Sequence, residues 1–442
     1  MNQKYHTTVI GAGIAGMEAA LSLASQGYKV LMVEREASIG GNMIALSKVF
    51  PTLDCASCIT TPKMSEAYSN KNITIMTYSE VKKAEKSGGG FIVTIEKKPR
   101  YVNEKTCIGC KKCEDVCPVY TEHEFDRGLG ARKSICIPFN TAMPQVAVLD
   151  PHTCMQCGKC YDICPTEPKS VVFDQKEEII KVECGAVIAA TGYSMTPVDI
   201  KKEYSNGTQK NVITAFQLER IVAPSGPFGG AVRPGDGKEP ASIAFVLCAG
   251  SRDKSIGVPY CSRVCCMYSI KQAMLMSAAL PMADITIYYM DIRAFGKSYE
   301  QFYRNAEAMG IKFVKAKVAK ISEIENGDLE VNAEMMEETG ALKKFRHEMV
   351  VLASGMIPGE KPGEIAPITC DAYGFVNQPK LKYSPSETEV EGLFTAGTIT
   401  GPKDIVDTIT EAGAASIMAS NYINKNLSDP QSEIRNPKSE EK

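Results

Sequence analysis

The chain has no surplus of positive charge: 50 Lys plus Arg stand against 52 Asp plus Glu, a net charge of -2. Neutralising a phosphate backbone needs such a surplus, so no nucleic-acid partner is expected. Long apolar runs are missing too. The longest, such as Ala186–Ala190 and Ile243–Leu247, fall far short of the roughly 20 residues that span a bilayer, and no direct membrane insertion is expected. Met1–His6 leads straight into a strand without the apolar stretch of a signal peptide, so the expected location is cytoplasmic unless a partner carries the chain to a membrane. Histidine is scarce: His6, His123, His152 and His347 are scattered, and none is assigned a role. Disorder is excluded as well, because 44% hydrophobic and 23% charged residues are ordinary globular composition.

What the chain has in abundance is cysteine, 17 in 442 residues. A chain of this length builds two or three cores and needs no disulfide staples, so clustered cysteines in a reducing compartment point to metal or redox chemistry. Two runs stand out, Cys107-x2-Cys110-x2-Cys113-x3-Cys117-Pro118 and Cys154-x2-Cys157-x2-Cys160-x3-Cys164-Pro165. This is the bacterial ferredoxin spacing, in which three cysteines of a run hold one 4Fe-4S cluster and the fourth crosses to the other. One cluster then takes Cys107, Cys110, Cys113 and Cys164, the second Cys154, Cys157, Cys160 and Cys117. Zinc modules usually pair C-x2-C units across a longer gap and do not need Cys-Pro.

Around this segment the chain reads as α/β. Thr7–Ile10 is a strand, Ile14–Ser25 a helix and Lys29–Glu34 a second strand, with a hairpin over Val81–Glu96 that turns at Gly88-Gly89-Gly90. A second βαβ pattern starts near Glu239, with strands at Ser242–Leu247, Asp284–Tyr289 and Ile311–Val318 and helices at Met267–Ala279 and Tyr299–Met309. A meander over Ile321–Val351 follows, and a last helix covers Asp404–Tyr422.

Gly11-Ala12-Gly13-Ile14-Ala15-Gly16 follows the first strand and opens a helix, and Glu34 closes the next strand 18 residues after Gly16. Gly11 permits the tight turn, Gly13 lets a pyrophosphate approach the backbone, Gly16 allows close helix–strand packing, and Glu34 accepts from a ribose hydroxyl. The pattern alone does not separate FAD from NAD. Its place, followed by Gly40-Gly41, resembles the two-dinucleotide-binding-domain flavoproteins related to thioredoxin reductase, in which the first site holds FAD. Ala190-Thr191-Gly192 and Thr395-Ala396-Gly397 resemble the two later flavin motifs, although Thr398 stands where an Asp is usual. The candidate cofactor contacts are Gly11, Gly13, Ala15, Gly16, Glu34, Arg35, Gly40, Gly41, Thr191, Gly192 and Gly397, joined by Lys403 and Asp404 at the pro-helical start of the last helix.

A second cysteine group comprises Cys248, Cys261, Cys265 and Cys266. Cys248 ends a strand where a nicotinamide-binding domain would keep its Gly-rich loop, and no G-x-G-x-x-G occurs there. From spacing, buried inert thiols and a third cluster both remain open. Adjacent side chains diverge by about 100° on a helix, so Cys265 and Cys266 are expected to share a cluster only on irregular backbone. Cys55 and Cys58 are open between a redox dithiol near the flavin, cluster or structural duty, and packing. Cys136, Cys184 and Cys370 lack partners at useful spacing and read as inert.

Together the fingerprint, the two-cluster run, Cys248-x12-Cys261-x3-Cys265-Cys266, Gly401-Pro402-Lys403-Asp404 and the stretch Thr52–Cys58 through Pro62-Lys63-Met64 resemble the A-type subunit of heterodisulfide reductase. The resemblance implies FAD and three 4Fe-4S clusters, two ferredoxin-type and one non-classical on the second cysteine group. It also implies electron passage to B- and C-type partner subunits, with a hydrogenase or dehydrogenase as electron input and, in several systems, electron bifurcation. A homodimer is a further expectation. Larger methanogen members carry cluster domains beyond this core, and this chain resembles a short form.

The expected fold is therefore an α/β, thioredoxin reductase-like flavoprotein with an inserted 2x4Fe-4S ferredoxin domain. Its parts fall at 1–100 (FAD domain), 101–175 (insert), 176–238 (FAD domain, continued), 239–365 (second Rossmann-like domain with the non-classical cluster), 366–427 (FAD domain, last part) and 428–442 (polar tail). The expected function is electron transfer between flavin and clusters in a multi-subunit oxidoreductase. The alternatives are a self-contained NAD(P)H:acceptor flavoenzyme, disfavoured by the missing second glycine fingerprint, and an iron–sulfur scaffold without turnover.

Overall fold

The first strand, β1 (Lys4–Ile10), is buried from its second residue onward, which only a central strand of a sheet covered on both faces allows. A computed structural model describes residues 4–427 apart from 338–339, 360–361 and 381–382, so the expected polar tail at 428–442 lies outside the described residues. After β1 come α1 (Ile14–Ser25), β2 (Val30–Val33), α2 (Ala56–Ser69), β3 (Ile73–Met76), β4 (Ser79–Ser87) and β5 (Gly90–Lys97). The Gly-rich turn joins β4 to β5 as the sequence suggests. β2 and β3 lie parallel to β1, and helix α1 turns Met17, Ala19, Ala20 and Leu23 onto them. A fully buried Leu such as Leu23 contributes roughly 1.5–3 kcal/mol relative to exposure.

The insert is poor in regular structure. It holds α3 (Lys112–Val116), the ribbon of β6 (Tyr120–Glu122) and β7 (Ala131–Lys133), the short pair β8 (Ile135–Cys136) and β9 (Val148–Leu149), and α4 (Lys159–Ile163). The chain then re-enters the first sheet through β10 (Glu178–Ala189). This 12-residue strand pairs with β1 on one side, and on the other with β5 through its first half and with β20 (Leu393–Thr395) through its second. The order is β3-β2-β1-β10-β5-β4, with β20 also on β10.

Strand β11 (Tyr193–Met195) leaves this sheet and pairs with β19 (Met356–Pro358), the outgoing and returning crossings to a second sheet. That sheet contains β12 (Val212–Thr214), followed by helix α5 (Ala215–Ile221), then β13 (Ser242–Val246), α6 (Cys265–Ala279), β14 (Asp284–Tyr289), α7 (Tyr299–Ala308), β15 (Lys312–Glu323), β16 (Leu329–Met335), β17 (Leu342–His347) and β18 (Met349–Leu352). Its order is β12-β18-β13-β14-β15-β16-β17. The sheet thus begins before the boundary expected at 239: β12 is only three residues long, too short for periodicity to reveal, and is fixed by parallel pairing with β18. The chain closes through α8 (Pro362–Ile365), β20 and α9 (Ile405–Leu427), which packs Ala412, Ala415 and Ala419 into the core shared with α1. Among the described residues no helix is long and apolar enough to cross a membrane.

Candidate functional site

A cavity of about 690 Å³ opens at the carboxyl ends of β1 and β2 and runs between the two sheets. Gly11 (φ 98°) makes the turn out of β1, and a Cβ there would stand 2.4 Å from the Ala190 carbonyl oxygen. At Gly16 a Cβ would meet the Gly11 carbonyl oxygen at 1.9 Å, so α1 can lie this close to the turn only with glycine. A Cβ on Gly13 would find only Gly41 within 4 Å, which leaves the backbone bare towards the cavity. Helix α1 has no side-chain cap, so its first N–H groups are left for an anion. Glu34 is buried in the cavity wall and accepts from the Ala12 N–H at 2.7 Å and the Glu36 N–H at 2.9 Å. Burial pushes its carboxyl up to about 7 despite these bonds.

Ten of the thirteen candidate cofactor residues line this cavity: Gly11, Gly13, Ala15, Glu34, Arg35, Gly41, Thr191, Gly192, Lys403 and Asp404. Gly16, Gly40 and Gly397 do not. An added Cβ would meet the fold at each: Gly11 at Gly16, as its expected packing role requires, Ile44 and Met64 at Gly40, and Ala15 and Thr408 at Gly397. Thr398 lines the wall in the place of the usual acid. Asp404 is engaged on both oxygens, accepting from the Tyr299 hydroxyl at 2.8 Å and from the Asp407 N–H at 2.9 Å at the start of α9.

In the insert the two four-cysteine sets surround two separate small cavities of about 20 Å³ each. One is lined by Cys107, Cys110, Cys113 and Cys164, the other by Cys117, Cys154, Cys157 and Cys160. Each run therefore gives three cysteines to one cavity and its fourth to the other. The short helices α3 and α4 present the third cysteine of each run, and Cys117 and Cys164 follow directly as their C-caps. Among the described residues no three His, Cys, Asp or Glu converge tightly enough to hold a single metal ion. Four thiolates that enclose a cubane stand around its iron–sulfur core and need not meet at one point.

The second cysteine group lies at the carboxyl end of β13. Cys248 adopts φ 57°, rare for a residue with a side chain, and its thiol lies beside that of Cys265, which in turn neighbours that of Cys266. The irregular backbone expected at the pair is not found there and ends at Arg263, two residues before Cys265. Arg263 (φ 65°) is irregular, but Cys265 and Cys266 already form the first turn of α6, and it is Cys248 from the facing loop that meets the pair. Cys261 accepts from the Arg263 N–H at 3.3 Å, and Arg293 lies near both Cys261 and Cys266. Arg252 reaches the Cys248 sulfur and donates to Asp291 at 2.5 Å. Cys55 and Cys58 are apart from all of this. Cys55 caps α2, accepting from the Cys58 N–H at 3.4 Å, and the Cys58 thiol beside it holds the Cys55 thiol below its ordinary value. Neither lines the large cavity, although Lys48, bridged to Cys55, does.

Residues 9–54 match an NAD(P)-binding Rossmann-like domain and residues 106–168 a 4Fe-4S dicluster domain. The fold is that of thioredoxin reductases: the enzymes of T. acidophilum and Lactococcus lactis each superpose with a TM-score of 0.54, at 16% and 14% identity, covering 96% and 95% of this chain and 99% of theirs. By sequence the chain is 44% identical over 418 residues to the A-type subunit of the H(2):CoB-CoM heterodisulfide,ferredoxin reductase of Methanothermobacter marburgensis. It is 41% identical over 411 residues to the corresponding subunit of the ferredoxin/F(420)H(2)-dependent CoB-CoM heterodisulfide reductase of Methanosarcina acetivorans. The chain belongs to the family of heterodisulfide reductase A-type subunits. The matches take in 93% and 92% of this chain but 63% and 52% of the two relatives, so it spans between about half and two-thirds of their length.

In this member of the heterodisulfide reductase family the cavity has walls that motif reading misses. Val264, Tyr268, Lys271 and Gln272 follow one another along a single face of α6 and its N-cap, and line the far end. Lys271 is buried and ion-paired with the equally buried Glu219 of α5, whose other oxygen accepts from the Ser47 N–H at 2.9 Å and hydroxyl at 2.7 Å. A signal for this exists in the sequence, where Lys271-Gln272 interrupt an otherwise apolar helix. The insert also contributes His123, Phe125, Arg127, Phe139 and Cys136. Burial raises the Cys136 thiol to about 12, in keeping with an inert residue.

Proposed function

We propose that the chain is the flavin- and iron–sulfur-bearing electron-transfer core of a heterodisulfide reductase-type oxidoreductase. FAD fits the large cavity, with Glu34 holding the adenosine ribose and the bare backbone at Gly13 facing the pyrophosphate. The ferredoxin cysteines hold two 4Fe-4S clusters in the sets Cys107/Cys110/Cys113/Cys164 and Cys117/Cys154/Cys157/Cys160. Cys248, Cys261, Cys265 and Cys266 hold a third, non-classical cluster. When bound, the flavin supplies exchange between two-electron and one-electron chemistry and the clusters carry single electrons. The residues of the chain bind and orient. Lys271, ion-paired with Glu219, stands at the far end of the cavity, where the flavin ring would lie, and the start of α6 carries Cys265 and Cys266 beside the same wall. That shared helix is the observation that carries the reading: α6 and its N-cap line the cavity through Val264 and Tyr268, and Cys265 and Cys266 stand on the same turn, rotated off the lining face.

Partner subunits of B and C type, a hydrogenase or dehydrogenase input, electron bifurcation and a cytoplasmic location belong to the same proposal, supported by the names of the relatives. The test is composition after anaerobic purification, with one FAD and about twelve iron atoms per chain expected. Full flavin with about eight iron would remove the third cluster, and absence of a flavin spectrum would leave an iron–sulfur scaffold. Rapid flavin bleaching by NADH in the isolated chain would favour a self-contained NAD(P)H:acceptor enzyme instead.

A further inference from the structure

Six Lys and Arg side chains line the large cavity, and four are neutralised where they stand: Arg35 by Glu36, Arg132 by Glu124 and Asp150, Lys271 by Glu219, and Lys403 by Glu411. Lys48 and Arg127 have no carboxylate within ion-pair reach among the described residues. Arg127 is the more constrained of the two. It sits at φ 55° in the insert loop, its guanidinium donates to the Asn42 side-chain oxygen at 3.0 Å, and it stacks 4.6 Å from the ring centre of Phe216. Its carbonyl accepts from Gln217 at 3.2 Å. The planar fork is thus oriented by two neighbours that offer no charge, and the side chain lines the cavity.

Its position along the cavity selects the anion. Asn42 follows Gly41, whose backbone packs on Gly13 so closely that a Cβ on Gly41 would stand 2.7 Å from the Gly13 Cα. Gly13 is the bare start of α1, so Arg127 is tethered one residue from the place where a dinucleotide's pyrophosphate meets the helix N-terminus. Helix N–H groups offer only partial charge there; the guanidinium adds a full one in a geometry that matches two phosphate oxygens. The geometry points to Arg127 as the residue that binds the pyrophosphate of the flavin dinucleotide, so that the ferredoxin insert completes the flavin site. The three contributors come from three parts of the chain, Asn42 from the first sheet's unit, Arg127 from the insert and Phe216 from α5, so binding this anion also fastens the insert to both.

The inference rests on the flavin reading of the cavity, and the experiment separates the two. Wild type, R127K and R127Q are freed of flavin anaerobically and titrated with FAD and, separately, with riboflavin, which has the ring but no phosphate. If wild type takes up no FAD, the flavin reading itself falls before any variant is compared. Given FAD uptake, R127Q is expected to bind FAD about ten- to hundredfold more weakly, with riboflavin affinity unchanged. R127K should fall between, and the R127Q defect should shrink as salt is raised. Iron content and the reduced EPR spectrum of the insert clusters should match wild type, which excludes a collapsed insert. Unchanged FAD affinity in R127Q, or an equal loss for FAD and riboflavin, would overturn the assignment.

Discussion

Substituting Glu34 by Gln tests the adenosine end of the cavity, and the structure sets the size of the effect. The carboxylate is buried, already accepts two backbone N–H groups, and has Arg35 and Glu36 as charged neighbours. Burial outweighs the bonds and raises its pKa to about 7 from an ordinary 4.5. The sign follows. Without flavin, the folded chain holds a proton that the unfolded chain releases, so this residue's contribution to stability is fully present below pH 4.5 and is lost as pH rises through about 7. Ribose hydroxyls donate to the ionised form, whose oxygens also keep both backbone bonds, so flavin binding expels that proton. About a tenth of the chains are binding-competent at about pH 6 and about nine-tenths at about pH 8, which makes FAD bind roughly tenfold more tightly at the higher pH. E34Q has no proton to expel, and its amide sets a donor against a backbone donor. It should bind FAD about tenfold or more weakly at about pH 8, a loss of roughly 1.5–3 kcal/mol, with little dependence on pH. The assay is fluorescence titration of the flavin-free protein across this range. His123, which also lines the cavity, is common to both proteins and cancels in the comparison. A wild-type affinity independent of pH, or one that varies equally in E34Q, would refute the role of Glu34.

Two further outcomes are expected. C265S and C266S should each lose about four of about twelve iron atoms while the ferredoxin EPR signals persist, whereas C136S and C370S should keep full iron; retention of full iron by both paired-cysteine variants would return that group to packing. E219Q strands the buried charge of its partner Lys271 and should cost roughly 3–5 kcal/mol in thermal or denaturant unfolding, whereas removing both charges in an E219M/K271M double variant should cost less, and an equal loss would deny that the two act as a pair.

Legibility in the sequence follows the range of the interactions. Gly11, Gly13, Glu34 and the eight ferredoxin cysteines are readable because each owes its position to neighbours a few residues away or to a fixed spacing. The far wall is not. Glu219 and Lys271 lie 52 residues apart, and they meet only because β12 pairs with β18 and sets α5 beside α6. Lys271-Gln272 in an apolar helix announces a buried polar contact but cannot name its partner. Gly16 packs against the Gly11 turn as its motif position implies, whereas Gly40 and Gly397 lie outside the cavity lining against Ile44, Met64, Ala15 and Thr408, because a motif records where a side chain is forbidden and not whether a ligand or a helix forbids it.

The second cysteine group marks the limit most clearly. Its spacing leaves packing and cluster binding open, and a helical pair alone would send the two thiols apart. What adds a third sulfur to that pair is the left-handed backbone at Cys248, a tertiary feature at the end of β13 where a nucleotide-binding domain would place a glycine turn. A cysteine held in a conformation that glycine adopts more easily costs backbone energy of order 1–3 kcal/mol. In the proposed third cluster a ligand bond to iron would offset that cost. The same loop that could have received a nicotinamide dinucleotide is thereby occupied by thiols, and the second Rossmann-like sheet sets a cysteine group beside the large cavity without lining it.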